Sequence, residues 1–344
     1  ISMRLAPASR LFSTSSFIAC CTSSSQSVSR SKGVFESMRV ETLFDLASNS
    51  KMYATNYAVM KLVFEGILDL DTPIQRYISE YAGEGRADVT PRDILTHSAG
   101  YAPEVLFFRP DNELGEAFYS QDRERTLNLI LQSVPFVYER GSDTKYSDTD
   151  YMLAGILVER ITQMSLDEYV EKEIYGPLGL TQTLYNPLLK GFEPSQAAAT
   201  EIQGNTRDGR IDFPNVRTHV LQGEVHDEKT FYTMGGVAGH AGLFSTAAEL
   251  GLLANLMLTG GEGDDVQLFD QAVIDTFTSP SAANPAFGIG WQRADGRRGR
   301  WVFGDLASDQ AFGHTGWTGT LTVIDPAYDL VVVYLTNQKH SPVR

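Results

Sequence analysis

Around residue 286 the texture of this chain changes, and that change fixes its fold class. Before it, apolar residues recur at helical intervals. After it they fall into short runs rich in β-branched side chains: Phe287-Gly288-Ile289-Gly290-Trp291-Gln292, then Gly319 to Asp325, then Leu330 to Thr336 after the break at Asp325-Pro326. Helices followed by strands, with no regular alternation of the two, predict an α+β fold in which helices pack on an antiparallel sheet. The helical part is expected over about 46–285 and the sheet over about 286–344. Residues 49–65 read as a largely buried helix stopped by Gly66, and Thr90-Pro91-Arg92-Asp93 has the cap-then-proline form of a helix start. Thr149 to Met164, Leu166 to Ile174 and Thr246 to Thr259 read as further helices. Between about Phe192 and Gly236 the periodicity lapses into Gly, Asn, Pro and His, which reads as a long ordered loop region of the kind that carries function.

At 344 residues the chain can build a core without metal or disulfide. Its 28 basic residues against 43 acidic ones give a net charge of −15, which argues against a nucleic-acid partner, since phosphate binding rests on Lys and Arg. Both cysteines, Cys20 and Cys21, are adjacent and close to the start, so the rest offers no disulfide, thiolate nucleophile or Cys-based zinc site. Residues 1–40 read as a targeting or linker segment, expected to be disordered: serines crowd it, and Arg4, Arg10, Arg30 and Lys32 stand in its first 35 residues without an acidic partner. Phe17-Ile18-Ala19-Cys20 loosely resembles a lipoprotein cleavage site, so export with membrane anchorage at the N-terminus stands beside an organellar transit peptide as a reading of this segment. The domain proper is expected over 41–344.

Ser48-Asn49-Ser50-Lys51 opens the buried helix, and a three-residue spacing on a helix puts the serine hydroxyl and the lysine amine on one face, where the amine can act on the hydroxyl. The same spacing occurs at Ser29/Lys32, in the Ser-rich segment, and at Ser142/Lys145, in a polar loop; only Ser48 begins a buried helix. Tyr146-Ser147-Asp148 stands just ahead of another helix and offers a phenol that can relay a proton. Gly313-His314-Thr315-Gly316 offers a glycine-flanked strand that a substrate backbone can approach. The order and wide spacing of the three segments are those of Ser-x-x-Lys acyl-transferases. His97 and His240, in Gly- and Ser-rich turns, read as buried hydrogen-bonding residues. His219 and His226 lie near Glu224, Asp227 and Glu228 but lack metal-ligand spacing, so no metal is expected, and the absence of a nucleotide fingerprint in Gly235 to Gly242 leaves no cofactor expected.

These phrases, with Asp93-Ile94-Leu95-Thr96-His97-Ser98-Ala99-Gly100 and Gly236-Val237-Ala238-Gly239-His240-Ala241-Gly242, make the chain resemble the penicillin-recognising serine hydrolases: class C β-lactamases, DD-carboxypeptidases and related esterases. The resemblance runs over roughly 41–340 and is nearest to the penicillin-binding protein 4B type of D-alanyl-D-alanine carboxypeptidase. It implies a DD-peptidase-like fold and an acyl-enzyme on Ser48. Lys51 and Tyr146 would share the proton handling, the backbone N–H groups of Ser48 and Trp317 would form the oxyanion hole, and Asp148, His314, Thr315 and Gly316 would contact substrate. The substrate implied is a peptidoglycan peptide or another small molecule, met outside the cytoplasm or at a membrane. An esterase or weak β-lactamase of the same fold keeps all these motifs, whereas a non-catalytic binding protein on this scaffold would be expected to lose Ser48, Lys51 or Tyr146. Three departures stand out. Asp148 occupies a position where many relatives have Asn, and His314 one where β-lactamases usually have Lys. The strand pair expected before the serine motif is not legible in 1–40, nor is a helix after Arg344, so the chain is expected to be less stable than a longer one.

Overall fold

A computed structural model describes residues 16–22, 38–295 and 301–340. Its strands in chain order are β1 (Ser16–Thr22), β2 (Phe44–Asp45), β3 (Leu184–Tyr185), β4 (Ala199–Glu201), β5 (Leu221–Gln222), β6 (Leu243–Ser245), β7 (Gln292–Arg293), β8 (Phe312–Gly316), β9 (Thr320–Asp325) and β10 (Leu330–Thr336). The α-helices are α1 (Tyr57–Phe64), α2 (Pro91–Leu95), α3 (Arg123–Gln132), α4 (Asp148–Thr162), α5 (Leu166–Val170), α6 (Glu228–Met234), α7 (Ala247–Asn255) and α8 (Gln271–Thr278). The expected α+β arrangement is present. The main sheet has the order β1-β10-β9-β8-β7, and a small sheet, β2-β6-β3, ties the start of the serine segment to the glycine-rich stretch before β6.

Three details of the sheet differ from the sequence reading. The linker reading of residues 1–40 does not extend to Ser16–Thr22, which pair in parallel with β10. The sheet is therefore antiparallel from β7 to β10 and parallel at β1. The expected strand over 287–292 is a turn, closed by the Gly288 N–H on the Trp291 carbonyl at 2.8 Å, and only Gln292 and Arg293 reach the sheet. Gly290 makes that turn with φ of 82°, at a place where a Cβ would stand 2.2 Å from the Tyr151 hydroxyl, and so lets Trp291 drop into the core. Because β7 pairs only with Phe312 and Gly313, β8 is not the outermost strand but presents His314 to Gly316 as a free edge.

The core lies between the sheet and the helices. The serine segment runs as a 3-10 turn (Ala47–Asn49), a wide π-helical stretch (Lys51–Asn56) and α1; every residue of the π stretch is buried, and so is α4 from Thr149 to Val158. Helices buried on all sides carry little amphipathic periodicity, which is why their pattern reads as mixed. The region from Phe192 to Gly236, read as loop, contains β4, β5 and α6, the last capped by the Asp227 side chain on the Thr230 N–H at 2.7 Å and ended by Gly235 with φ of 65°.

At Gly155 of α4 the loop before β6 touches the helix backbone: a Cβ there would lie 2.9 Å from the Gly239 nitrogen and Cα, and one at Gly239 would lie 2.1 Å from the Tyr151 carbonyl oxygen. We expect Gly155→Ala to cost about 1–3 kcal/mol and to lower the melting temperature by roughly 2–4 °C per kcal/mol. A thermal melt that superimposes on the parent protein's would show that the contact yields without cost.

Candidate active site

Asp45, at the end of β2, sets up the serine segment. Its Oδ1 accepts the Ala47 N–H at 2.8 Å, its Oδ2 accepts the His226 N–H at 2.6 Å, and its backbone carbonyl accepts the Thr318 hydroxyl at 2.7 Å. Ala47, so clamped, has φ of 46°, a left-handed conformation that costs a non-glycine residue about 1–2 kcal/mol. The chain turns there and delivers four consecutive side chains to four different places. Asn49 goes to the sheet, donating to Thr320 Oγ1 and accepting from Thr322 Oγ1, each at 3.0 Å. Ser50 Oγ accepts the Leu243 N–H of β6 at 3.0 Å. Lys51 goes inward, and Ser48 is left partly exposed.

Lys51 has no solvent exposure, and its Nζ meets three acceptors: Ser48 Oγ at 3.1 Å, Asp148 Oδ1 at 2.8 Å and the His240 carbonyl oxygen at 3.1 Å. It also stands 4.8 Å from the centre of the Tyr146 ring. Burial alone would push the lysine pKa down; the charge of Asp148 and then the Tyr146 phenol outweigh it and hold the ammonium above the ordinary lysine value. Burial raises the Tyr146 phenol, against the lowering effect of the Lys51 charge, so it rests as a neutral donor. Asp148 would be raised by burial, but Lys51, Lys229 and His240 reverse this and hold it below the usual carboxylate range.

Beneath this trio the polar groups form a closed circuit. From Asp148, Oδ2 pairs with Lys229 Nζ at 3.2 Å; Lys229 pairs with Asp227 Oδ2 at 3.5 Å; Asp227 Oδ1 meets His240 Nε2 at 2.9 Å; and the His240 carbonyl returns to Lys51. Lys229 makes one more ion pair, to the half-exposed Glu104 at 2.7 Å. Lys229 is missed by the sequence reading because it sits in the stretch read as loop; the signal available was Asp227 three residues before Thr230, with Gly235 closing the helix. Asp148, Asp227 and His240 each bring a ligand atom within 4.8 Å of one another, the donor set of a small metal site. Lys229 already pairs with both carboxylates and Lys51 with one of them, so two ammonium groups supply the positive charge that a cation would bring.

β8 forms the opposite wall. His314 is buried, and its Nδ1 meets the Thr315 carbonyl at 2.7 Å, so in the neutral ring the proton sits on Nδ1 and Nε2 is an acceptor. Burial and then the Lys51 charge push its pKa down to about 3, so the position brings no positive charge to the cleft near neutral pH. Thr315 and Gly316 are partly exposed. A Cβ on Gly316 would stand 2.4 Å from the Leu46 carbonyl oxygen, so the strand end lies directly against the residues before Ser48, and Trp317 follows at the rim with 56% of its surface exposed and the Lys339 ammonium 3.7 Å from its ring centre. Trp317 is therefore not core.

The structure thus brings Ser48, Lys51, Tyr146, Asp148 and the His314–Trp317 strand end together. It does not do so for the second serine-lysine pair: Lys145 turns to Asp143 at 2.7 Å and Ser142 to the Glu139 carbonyl. Ser29 and Lys32 lie outside the described residues. His97 is buried under Tyr146, with ring centres 4.5 Å apart, and accepts the Ser147 N–H at 3.1 Å. His226 pairs with Glu201 and His219 with Glu224, away from each other's partners.

Residues 23–344 match the sequence profile of the family described as Beta-lactamase. A protein of Bacillus subtilis (strain 168) named N-acetylmuramyl-L-alanine amidase is 49% identical over 312 residues, covering 89% of this chain and 70% of its own length. A protein of Escherichia coli (strain K12) named "Putative D-alanyl-D-alanine carboxypeptidase" is 50% identical over 308 residues, covering 88% of this chain and 70% of its own. Among solved structures, EstCE1, titled a hydrolase with promiscuous acyltransferase activity, shares the fold with a TM-score of 0.66 at 22% identity, over 89% of this chain and 83% of that one. With that extent of matching sequence, and with a fold shared well beyond the identity, the chain belongs to the beta-lactamase family of serine hydrolases.

Proposed function

We propose that this protein hydrolyses an amide at the D-alanyl end of a peptidoglycan peptide through an acyl-enzyme on Ser48. The observation that carries this reading is the Lys51 ammonium, 3.1 Å from the Ser48 hydroxyl and locked there by Asp148. The names of both curated relatives describe cleavage of an amide beside alanine. A substrate in the cell wall puts the activity outside the cytoplasm; no helix among the described residues is long and apolar enough to cross a membrane.

In this mechanism Ser48 Oγ attacks the carbonyl carbon, and the carbonyl oxygen takes the electron pair beside the N–H groups of Ser48 and Trp317. The serine proton passes to the Lys51–Tyr146 pair and on to the departing amine as the C–N bond breaks. Water then attacks the ester, giving its proton to the same pair, and the returning proton restores the Ser48 hydroxyl as the acid leaves. Resting protonation limits the first step. Lys51 is an ammonium whose three N–H bonds are committed, and Tyr146 is a neutral phenol, so one proton must leave the pair before it can accept one.

The pH dependence follows from that sign. Both pair members are raised, so the competent, singly deprotonated form grows as pH rises, and kcat/KM should climb from neutral into alkaline pH. Asp148→Asn removes the charge that holds the lysine proton, and the rising limb should move down by roughly one pH unit or more. Tyr146→Phe should cost about 10²–10⁴ in rate. A profile indifferent to Asp148 would mean that the pair is not the proton acceptor, and a loss of only a few-fold at Tyr146 would mark it as a packing residue.

Ser48→Ala should remove hydrolysis of p-nitrophenyl esters and of D-alanyl-D-alanine peptides, whereas Ser142→Ala should not. A fluorescent penicillin should leave an adduct on the Ser48 peptide that persists for minutes, because neutral His314 and anionic Asp148 depart from the Lys and Asn that fast β-lactamases place there. Intact-mass measurement separates the outcomes. A lasting adduct supports the peptidase reading, rapid turnover of the drug supports a β-lactamase, and ester cleavage with no adduct supports the esterase reading.

A further inference from the structure

Asp148 places a carboxylate 2.8 Å from the lysine that, in the proposed mechanism, has to give up a proton. An anion at that distance opposes the proton's release, and burial strengthens the opposition. Lys229 answers it. It is the second residue of α6, held by the Asp227 cap at the helix start and by the Thr233 hydroxyl on its own carbonyl at 2.7 Å, and its side chain is only 4% exposed. From there Nζ reaches the oxygen of Asp148 that Lys51 leaves open, at 3.2 Å. A buried lysine is costly unless paired, and this one has three carboxylates around it, two of them in the circuit that returns to Lys51.

We propose that Lys229 is a positioning residue for the hydrolytic reaction: its ammonium fixes the free oxygen of Asp148 and offsets the carboxylate's charge, so that Lys51 can release a proton that the Lys51–Asp148 pair alone would retain. The inference rests on Ser48 being the nucleophile and Lys51 part of its proton acceptor. It assigns to α6 a part in the chemistry although Lys229 does not touch Ser48.

The surrounding groups leave this assignment room to act. Asp148 faces Lys51 and Tyr146 on one side and Lys229, Asp227 and His240 on the other. Lys229 faces Asp227, Asp148 and Glu104, with Glu228 beside it on α6. His97, His314 and Asp150 complete the surroundings of the trio; burial leads the causes that hold both imidazoles below their ordinary pKa, so they are neutral over the range in which the Lys51–Tyr146 pair titrates, and burial raises the Asp150 carboxyl. A buried charge removed from Asp148's open side is therefore felt chiefly at Lys51.

The test is the pH profile of kcat/KM on a p-nitrophenyl ester, measured with the whole chain and with folding checked by circular dichroism. Lys229→Gln should move the rising limb up by roughly one pH unit, about a tenfold loss below the limb, and Lys229→Arg should restore the parent limb. In an Asp148→Asn background the same Lys229→Gln change should leave the limb where Asp148→Asn alone puts it. Glu104→Gln empties no buried position and gives Lys229 over to Asp148 and Asp227, so its limb should move down. A Lys229→Gln profile that is lowered but not shifted, a shift that persists without Asp148, or a Glu104→Gln limb that stays or rises overturns the proposal. Failure of the parent reading is distinct from these: activity would survive Ser48→Ala. Failure of this inference alone leaves activity dependent on Ser48 with a limb indifferent to Lys229.

Discussion

A fully buried ammonium has to be given acceptors, and in this protein the burial of Lys51 organises everything near it. Its three partners come from three separate parts of the chain: Ser48 from its own turn, Asp148 from the start of α4, and the His240 carbonyl from the glycine-rich loop before β6. Leaving any one of them away would strand a donor in the interior, at about 1–3 kcal/mol and more for a charged group. Satisfying the lysine therefore assembles the cleft. The glycines in these segments follow from the same requirement, since the loop that supplies the His240 carbonyl reaches Lys51 only by laying Gly239 directly on the backbone of α4 at Gly155.

The buried charges of the site are paired with one another. Asp148 brings a negative charge, and the neutral His314 brings none. Lys229 returns one positive charge from below, and Asp227, paired to both Lys229 and His240, balances it in turn. The buried circuit is close to neutral as a whole, with Glu104 as the half-exposed acid at its rim. A low-dielectric interior tolerates a ring of alternating charges far better than an isolated one. It follows that no single member of the ring can be neutralised without altering the proton affinity of the others.

What could be read from the sequence was what depends on local spacing. The turn that puts Lys51 beside Ser48, the tyrosine ahead of α4 and the glycine-flanked strand at His314 each show within a few residues, and their order along the chain binds them into one site. The bounds of β10, Leu330–Thr336, were legible because a run rich in β-branched residues needs no tertiary information. Lys229 was not legible, because α6 is short and lies among turns where glycine, asparagine and proline mask a helical period. Nor was the turn at Gly290: the run Phe287 to Gln292 has the composition of a strand, and only the need to bury Trp291 against Tyr53 and Phe312 bends it. In β1 the serines that suggested a linker do not prevent pairing, since backbone hydrogen bonds to β10 supply what composition withholds.

The tetrapeptide from Ser48 to Lys51 shows how a reactive hydroxyl can be both fixed and free. Asn49 ties the turn to β9, Ser50 ties it to β6, and Lys51 ties it to α4, so the backbone is held from three directions. Ahead of them Ala47 is kept in a left-handed conformation by the Asp45 carboxylate, a strain that only such surrounding order can maintain. Ser48 itself is spared any structural bond of that kind: the partner of its hydroxyl is Lys51, which the proposed mechanism makes part of the pair that takes its proton. The energy that immobilises the proposed nucleophile is thus supplied by its neighbours, and its own hydrogen bond to Lys51 remains available to a reaction, which is the condition for a serine to be pre-positioned without being made inert.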